Sequence, residues 1–458
     1  MRKKNSLYIA LVVFSGLFVS CWDDFTDRTY YSANVTSFAF EAQDTCPDIE
    51  DYAFNIDQTK DTGLIYNLDS LPFGRVVNNL YPTVSIQSTN GNIYMNDSLW
   101  ADGDSLDFTN PVYLKNTSID GLYTRIYKIS VNVHKVDPDS MLMSLKSSTF
   151  PAAAAKNKTL CLADGNFRSY YALSGGGMSA TQSADQGSTW TNRTVTGITE
   201  DVNILSLCTF GSKFYVAAKS GQQYSSTDGL TWTTSGDGTK LVTLFGEIKK
   251  KYVTETDPSH LIGLAKNASG DIYYARSADG NSWTLGTKAA DDFPVYDYAV
   301  TKGTTATNVE FYTIATGVSA SGNYCTKVFS TETGSDWIVA CNPSTTRLSL
   351  GWQRRGASLF YYGKYLVCFG GIDSNGYYNK DLYISADNGK GWIEPEDKWA
   401  WEKMTLGIAY PGVYIERVKD TVNDKDRNFI WIFGGSRING SSPEVWKCYQ
   451  NSMIFARR

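Results

Sequence analysis

Ser226-Thr-Asp228-Gly229-Leu-Thr-Trp232 closes a hairpin with its own side chains and prepares a surface for the next one. An Asp in a tight turn accepts the turn's backbone N–H groups, and the Gly after it takes a positive φ that other residues enter only at a cost. The Trp is large enough to fill the gap between one small sheet and its neighbour while its indole N–H still reaches a partner. The phrase recurs as Ser183-Ala-Asp185-Gln-Gly187-Ser-Thr-Trp190, Ser277-Ala-Asp279-Gly280-Asn-Ser-Trp283, Ser330-Thr-Glu332-Thr-Gly334-Ser-Asp-Trp337 and Ser385-Ala-Asp387-Asn-Gly389-Lys-Gly-Trp392. The five tryptophans stand 42, 51, 54 and 55 residues apart. That is close to the roughly 40 to 50 residues of a four-stranded propeller blade, and the many Tyr, Thr, Val and Gly exclude a helical solenoid. Such turns are satisfied by their own backbone, so their acids read as fold punctuation and not as catalysts.

Alternating apolar runs divide each repeat into strands A to D. The second is the clearest: Ile204 to Phe210, the turn Gly211-Ser212, Lys213 to Lys219, the turn Ser220-Gly221, Gln223 to Ser226, then the phrase itself. The others begin near Thr159, Leu241, Tyr296 and Ala357. A sixth unit has lost its phrase but keeps Phe433-Gly-Gly435, Asn439-Gly440 and Val445-Trp-Lys447, matching Phe369-Gly-Gly371, Asn375-Gly376 and Asp381-Leu-Tyr383. Six blades therefore span 157–458, closed either by 452–455 or by Met141 to Leu145. Ahead of them, 31–136 carries runs at Val35 to Phe40, Tyr52 to Ile56, Val84 to Gln87 and Tyr123 to Val136. Asn-Gly and Asp-Gly turns separate these runs, which is the pattern of an Ig-like β-sandwich. Residues 137–156 read as a linker, and the whole chain as all-β.

Composition bounds the chemistry. The 458 residues carry 14% aromatics and a net charge of −5, fitting a well-folded secreted β protein of two or more domains. Beyond the leader, the basic residues form no run longer than Lys249-Lys-Lys251, which argues against nucleic acid. Two histidines exclude a His-based zinc site and a Ser-His-Asp centre. Asp373-x-Asn375-Gly376 has oxygen donors but not the spacing of a calcium loop, and reads as a turn. No metal or cofactor is expected. Arg2, Lys3 and Lys4 followed by an apolar run from Leu7 to Val19 form a secretion signal over 1–20, too short to span a membrane. Cys21 begins a tether, 21–30, that opens with Trp22, Asp23 and Asp24. Seven further cysteines lack Cys-x-x-Cys spacing, and several lie in apolar strand patterns, as small buried hydrophobes do.

The repeated phrase resembles the Asp-box of sialidase-like β-propellers, and the last two units resemble kelch repeats, with Arg354-Arg355-Gly356 ahead of the inner strand. The leader resembles a bacterial lipoprotein signal, with Phe18 where a leucine commonly stands and Cys21 as the lipidated residue. The whole plan is similar to a family of Bacteroides-type lipoproteins of unassigned function, which implies an outer membrane lipoprotein, surface-exposed or facing the periplasm. Sialidases carry a Phe/Tyr-Arg-Ile-Pro signature; here Phe167-Arg168-Ser169 lacks the Ile-Pro. The B–C and D–A loops form the face expected to bind. There Trp352, Tyr377 and Tyr378 offer flat surfaces, and Arg354, Arg355 and Arg437 suit carboxylates. The expectation is a non-catalytic envelope protein whose propeller binds a glycan or protein. A divergent glycoside hydrolase and a structural subunit of an outer-membrane assembly are the alternatives.

Overall fold

The computed structural model describes residues 32–44, 46–135, 137, 140–249, 259–342, 353–395, 399, 401, 403–404, 406–420 and 425–450. Cys21, the leader, Trp352 and 452–455 lie outside the described residues. The chain divides after Pro138 into two compact units.

In the first unit Val35–Phe40 pairs with Pro82–Ile86, and a six-stranded sheet runs in the order Phe54–Asp57, Thr62–Asn67, Thr124–Ser130, Val112–Thr117, Ile93–Met95, Ser98–Trp100. Thr62–Asn67 and Thr124–Ser130 are parallel and the remaining pairs antiparallel. Alternation sends Val112, Leu114 and Asn116 inward, where the leucine and valine join Val35, Phe38, Phe40, Ile65, Tyr127 and Ile129 in a single core. The long run expected from Tyr123 to Val136 leaves the sheet after Ser130. There Asn132 N–H donates to Asn67 Oδ1 at 2.6 Å and ties the departing chain down. Thr62–Asn67 is not among the runs that alternation picks out. It contains Gly63, where a Cβ would stand 2.4 Å from the Tyr127 ring, so the space is given to the neighbour's side chain.

The second unit holds, among the described residues, six successive sheets of three or four strands and two small two-stranded ones, Arg354–Arg355 with Ile372–Asp373 and Ser436–Arg437 with Gly440–Ser441. Sheet I is Lys158–Cys161, Phe167–Ala172, Met178–Ser183, Thr191–Arg193; sheet II is Cys208–Phe210, Lys213–Ala217, Gln223–Ser226, Thr233–Ser235. Sheet III is Lys240–Ile248, His260–Lys266, Ile272–Ser277, Thr284–Lys288; sheet IV is Ala299–Thr304, Glu310–Ala315, Val328–Thr331, Ile338–Cys341. Sheet V has Ser358–Tyr362, Tyr365–Phe369 and Leu382–Ser385, with Ile393 bridging Ile384 in the fourth place. Sheet VI orders Gly412–Asp420, Lys425–Phe433, Val445–Gln450 and Met141–Ser147. Residues 137–156 are thus not a plain linker: Met141–Ser147 pairs antiparallel with Val445–Gln450, so a strand from before the first sheet completes the last. In sheet II, Ile204–Ser206 is a 3-10 turn, and the strand starts only at Cys208.

Each core cluster joins two successive sheets. Tyr170 and Met178 of sheet I meet Val216 and Trp232 of sheet II. Tyr215 meets Leu244 and Leu261 of sheet III, and Ile262 meets Tyr312 and Ile314 of sheet IV. Val328 meets Leu359 and Cys368 of sheet V, and Phe360 meets Ile430 and Ile432 of sheet VI. Trp431 and Phe433 then meet Phe167 and Tyr171 of sheet I. None of the seven described cysteines is in a disulfide, and all but Cys161 are buried.

The repeated turns work as their chemistry requires. In sheet II's turn, Gly229 N–H donates to Ser226 Oγ at 2.9 Å, and Leu230 and Thr231 N–H both donate to Asp228 Oδ1 at 2.7 Å. Trp232 Nε1 donates to Gly229 O at 3.1 Å while its ring packs between sheets I and II. Sheet IV's turn departs from the expected assignment. Gly334 N–H donates to Thr331 Oγ1 at 2.8 Å and Ser335 N–H to Thr333 Oγ1 at 3.3 Å, so threonines stand where the others have Ser and Asp. This bonding is that of the shorter turn of sheet II, in which Glu332 takes the place of Thr227, although its distance from the glycine is also that of Asp185 and Asp387 in sheets I and V.

These turns set a pH dependence. The Thr189 hydroxyl and N–H and the Ser183 hydroxyl hold Asp185 down at about 2; the N–H groups of Thr231 and Leu230 hold Asp228 at about 2; those of Ser282 and Asn281 lower Asp279 further. Because the folded values lie below the unfolded one, the contribution is complete above the unfolded carboxylate value and is lost as pH falls toward the folded values. Calorimetry should show a melting temperature that is flat down to about pH 4.5 and falls between about pH 4 and 2. The combined Asp185→Asn, Asp228→Asn and Asp279→Asn variant should melt lower at pH 7 and respond less to pH in that window.

Candidate functional site: the mouth of the inner cavity

Two residues before their inner strands, sheets I, IV, V and VI place Lys156, Asp297, Gly356 and Tyr410. Backbone bonds stitch these approaches together: Gly356 N–H donates to Asp297 O at 2.9 Å, Tyr410 N–H to Gly356 O at 2.7 Å and Asn157 N–H to Tyr410 O at 3.5 Å. Gly356 has φ +66°, which glycine adopts freely, but Asp297 at +50° and Tyr410 at +56° are held in the left-handed region. That costs about 1 kcal/mol or more each, and such strain collects at functional sites. The side chains meet as well. Lys156 Nζ lies 2.5 Å from Asp297 Oδ1 and 4.6 Å from the centre of the Tyr410 ring. Burial first, then the Asp297 carboxylate that its hydroxyl bonds, push Tyr410 far above the ordinary tyrosine value.

Beside this cluster opens a cavity of about 570 Å³ lined by Lys156, Lys219, Lys240, Lys266, Tyr296 and Asp297, among others. Lys219 follows the second strand of sheet II and pairs with Asp201 at 3.3 Å. Lys240 begins the first strand of sheet III and Lys266 ends its second; both are exposed, and neither has an ion pair among the described residues. The chain shows no such basic group when read linearly, because the four lysines are separated by 63, 21 and 26 residues and only the sheet packing assembles them. A second cavity of about 310 Å³ runs inward between the first strands of sheets I, IV, V and VI, where Lys158, Val300, Phe360 and Val413 line it. Among the described residues lining these two cavities Asp297 is the only carboxylate, so they assemble no pair of facing acids there.

The expected binding residues fare differently. Arg354 is buried, with Nη1 donating to Gly370 O at 3.0 Å and Nη2 pairing with Asp381 at 2.9 Å. Arg437 pairs with Glu444 at 2.6 Å. A buried guanidinium requires acceptors, and these two have found theirs within the fold, which removes them as free carboxylate clamps. Arg168 is likewise spent: Nη1 donates to Asp228 O at 2.6 Å, and Nε and Nη2 to Gln182 Oε1 at 3.1 and 3.0 Å. Tyr378 bonds Ser436 Oγ at 3.0 Å, bringing the loops of sheets V and VI together. Arg355 and Tyr377 are exposed, Tyr377 at 65%. Asp373 accepts the N–H groups of Asn375 and Tyr377 at 2.9 and 3.0 Å, as a turn does. A signal for the missed residues exists in the repeat itself. Lys156, Asp297 and Tyr410 occupy one repeat position, visible when units are aligned on their inner strands instead of on their turns.

No curated protein matches the chain. Many solved structures do, among them that of YjhT, at 12% identity over 65% of this chain and 94% of the other, with a TM-score of 0.40, a likeness too slight to argue from. Residues 28–131 match the DUF6242 N-terminal domain and residues 137–458 the DUF6242 beta propeller domain, and the chain therefore belongs to the DUF6242 family, whose C-terminal part is a β-propeller.

Proposed function

We propose that this is a non-catalytic outer membrane lipoprotein, anchored through Cys21, whose propeller binds a glycan or a protein partner at the mouth of its inner cavity. In this reading the propeller has six Asp-box or kelch-like blades and the N-terminal unit is an Ig-like module that holds it away from the membrane. The observation that carries the reading is the basic bowl, in which Lys240 and Lys266 have no ion pair among the described residues while Lys156 binds Asp297 and Tyr410, both held at positive φ. Cations with no partner among the described residues, on a concave, loop-built surface, are available to a ligand.

The test is a panel of host and plant glycans and of envelope protein extracts against the full chain in non-ionic detergent, with product release followed in the same wells. Binding without release is expected, and the Lys240→Ala, Lys266→Ala variant should weaken it at least tenfold, about 1.4 kcal/mol. Release of product makes the protein a hydrolase and overturns the proposal. Binding that the double variant leaves unchanged removes the bowl as its site.

A further inference from the structure

Lys158 opens the first strand of sheet I, its backbone paired with Tyr170. Its side chain lines the inner cavity, and its ammonium has no hydrogen bond or ion pair among the described residues. Lys158 is half-buried, and a cation drawn partly out of bulk water beside apolar and tyrosine walls, without a partner among the described residues, is placed to receive one from outside. No counter-ion is built in among the described residues. Lys302, across the cavity in sheet IV, is engaged with Glu310 at 3.2 Å. Tyr298 and Tyr312 of sheet IV and Tyr410 and Tyr414 of sheet VI line the same space, and burial drives all four above the ordinary tyrosine value, so they stay neutral. Cys208 of sheet II, the thiol whose charge would couple to Lys158, is pushed up to about 12 and is neutral too. Asp297 at the mouth is taken by Lys156 and Tyr410. Burial accordingly pulls the Lys158 ammonium below the ordinary lysine value.

We propose that the ligand at the mouth is an acidic oligosaccharide and that the inner cavity takes one of its anionic groups, carboxylate or sulfate, onto Lys158. This rests on the binding reading above and narrows it. The cavity, at about 310 Å³, has room for a sugar ring, with tyrosines and the hydroxyls of Thr301 and Ser358 along its wall. The surface of a folded protein does not deliver a carboxylate between inner strands. The lysines of the bowl then meet further charges along the saccharide.

Binding raises the affinity of Lys158 for its proton, so the complex takes up a proton wherever the pH lies between the free and the bound value. Affinity is full below the free value and falls about tenfold per pH unit above it. The experiment is calorimetry of the full chain in non-ionic detergent between about pH 6 and 10, using a galacturonate tetrasaccharide, a sulfated galactose tetrasaccharide and the neutral galactose tetrasaccharide. The acidic probes should bind at least tenfold more tightly than the neutral one, with that decline on the alkaline side; which of the two binds better identifies the anion. Lys158→Gln should lose at least tenfold in affinity together with the decline, while melting no lower than the parent. Lys158→Arg keeps a charge that does not titrate and should retain affinity without the decline. Equal binding of neutral and acidic probes, or an unchanged Lys158→Gln, overturns this inference and leaves the binding reading standing. Failure of every saccharide while an acidic peptide binds removes the sugar. Failure of all probes, with the glycan and extract panel also silent, removes the binding reading itself.

Discussion

Deleting residues 141–147 should bring the protein close to unfolding. That strand supplies the outer edge of sheet VI, pairing along Val445–Gln450 from Ser147 to Met141. Met141 and Met143 are buried in the cluster shared by sheets V and VI, and Lys403 Nζ donates to Met143 O at 2.9 Å. Two buried methionine side chains are worth about 3 to 6 kcal/mol together, against a total stability of about 5 to 15 kcal/mol for a domain. The deletion also exposes an unpaired strand edge with Trp446 beside it, an invitation to pair with another chain. The expected result is a fall in melting temperature of roughly 10 °C or more with aggregation on heating, since each kcal/mol is worth about 2 °C or more in a domain of this size. A synthetic peptide of residues 140–149, added in excess, should restore part of the loss by refilling the edge. A deletion variant that melts within 2 °C of the parent would show that the strand does not close the ring.

The same strand marks the limit of what the chain discloses when read linearly. Turns are legible because their determinants are local: Ser, Asp, Gly and Trp within eight residues satisfy one another, and their spacing reports the repeat. Ring closure is not local, and two segments more than 300 residues apart compete for it on equal terms until pairing is seen. The bowl is illegible for a related reason. A lysine in a loop has no sequence context that separates a ligand contact from a solvated surface, and only convergence of Lys156, Lys219, Lys240 and Lys266 on one cavity does so. The arginines mislead in the opposite sense. Arg354 and Arg437 look available because their partners Asp381 and Glu444 lie 27 and 7 residues away, across loops whose course no local pattern predicts. Glu332 misleads because Ser330-x-Glu332-x-Gly334 copies the spacing of Ser183-x-Asp185-x-Gly187, and only the bond from Gly334 N–H to Thr331 shows that the turn is one residue shorter.

Gly229→Ala should destabilise far more than Gly211→Ala, although the two glycines have similar backbones in the same sheet. Gly229 has φ +71° and Gly211 φ +57°, so an alanine pays about 1 kcal/mol of left-handed strain at either. The difference lies in what the new methyl meets. At Gly211 nothing stands within 4 Å, whereas at Gly229 a Cβ would lie 2.3 Å from the Tyr170 hydroxyl and 3.0 Å from Arg168 Nη1, both buried in sheet I. Arg168 Nη1 already donates to Asp228 O, so it cannot withdraw without leaving that carbonyl unmet. Overpacking of this kind costs about 1 to 3 kcal/mol more, which sets Gly229→Ala at about 2 to 4 kcal/mol and Gly211→Ala at about 1. The same crowding recurs around the ring. Gly187 faces Trp431 of sheet VI, Gly280 faces Tyr215 of sheet II, Gly334 faces Ile262 of sheet III and Gly389 faces Val328 of sheet IV. Each turn glycine is therefore required twice, by its own backbone and by the sheet before it, and the repeated phrase encodes the contact between sheets as well as the turn. Urea midpoints of the two variants decide the matter: equal losses would confine the glycine to its turn, and a gap of 1 kcal/mol or more would place it in the interface.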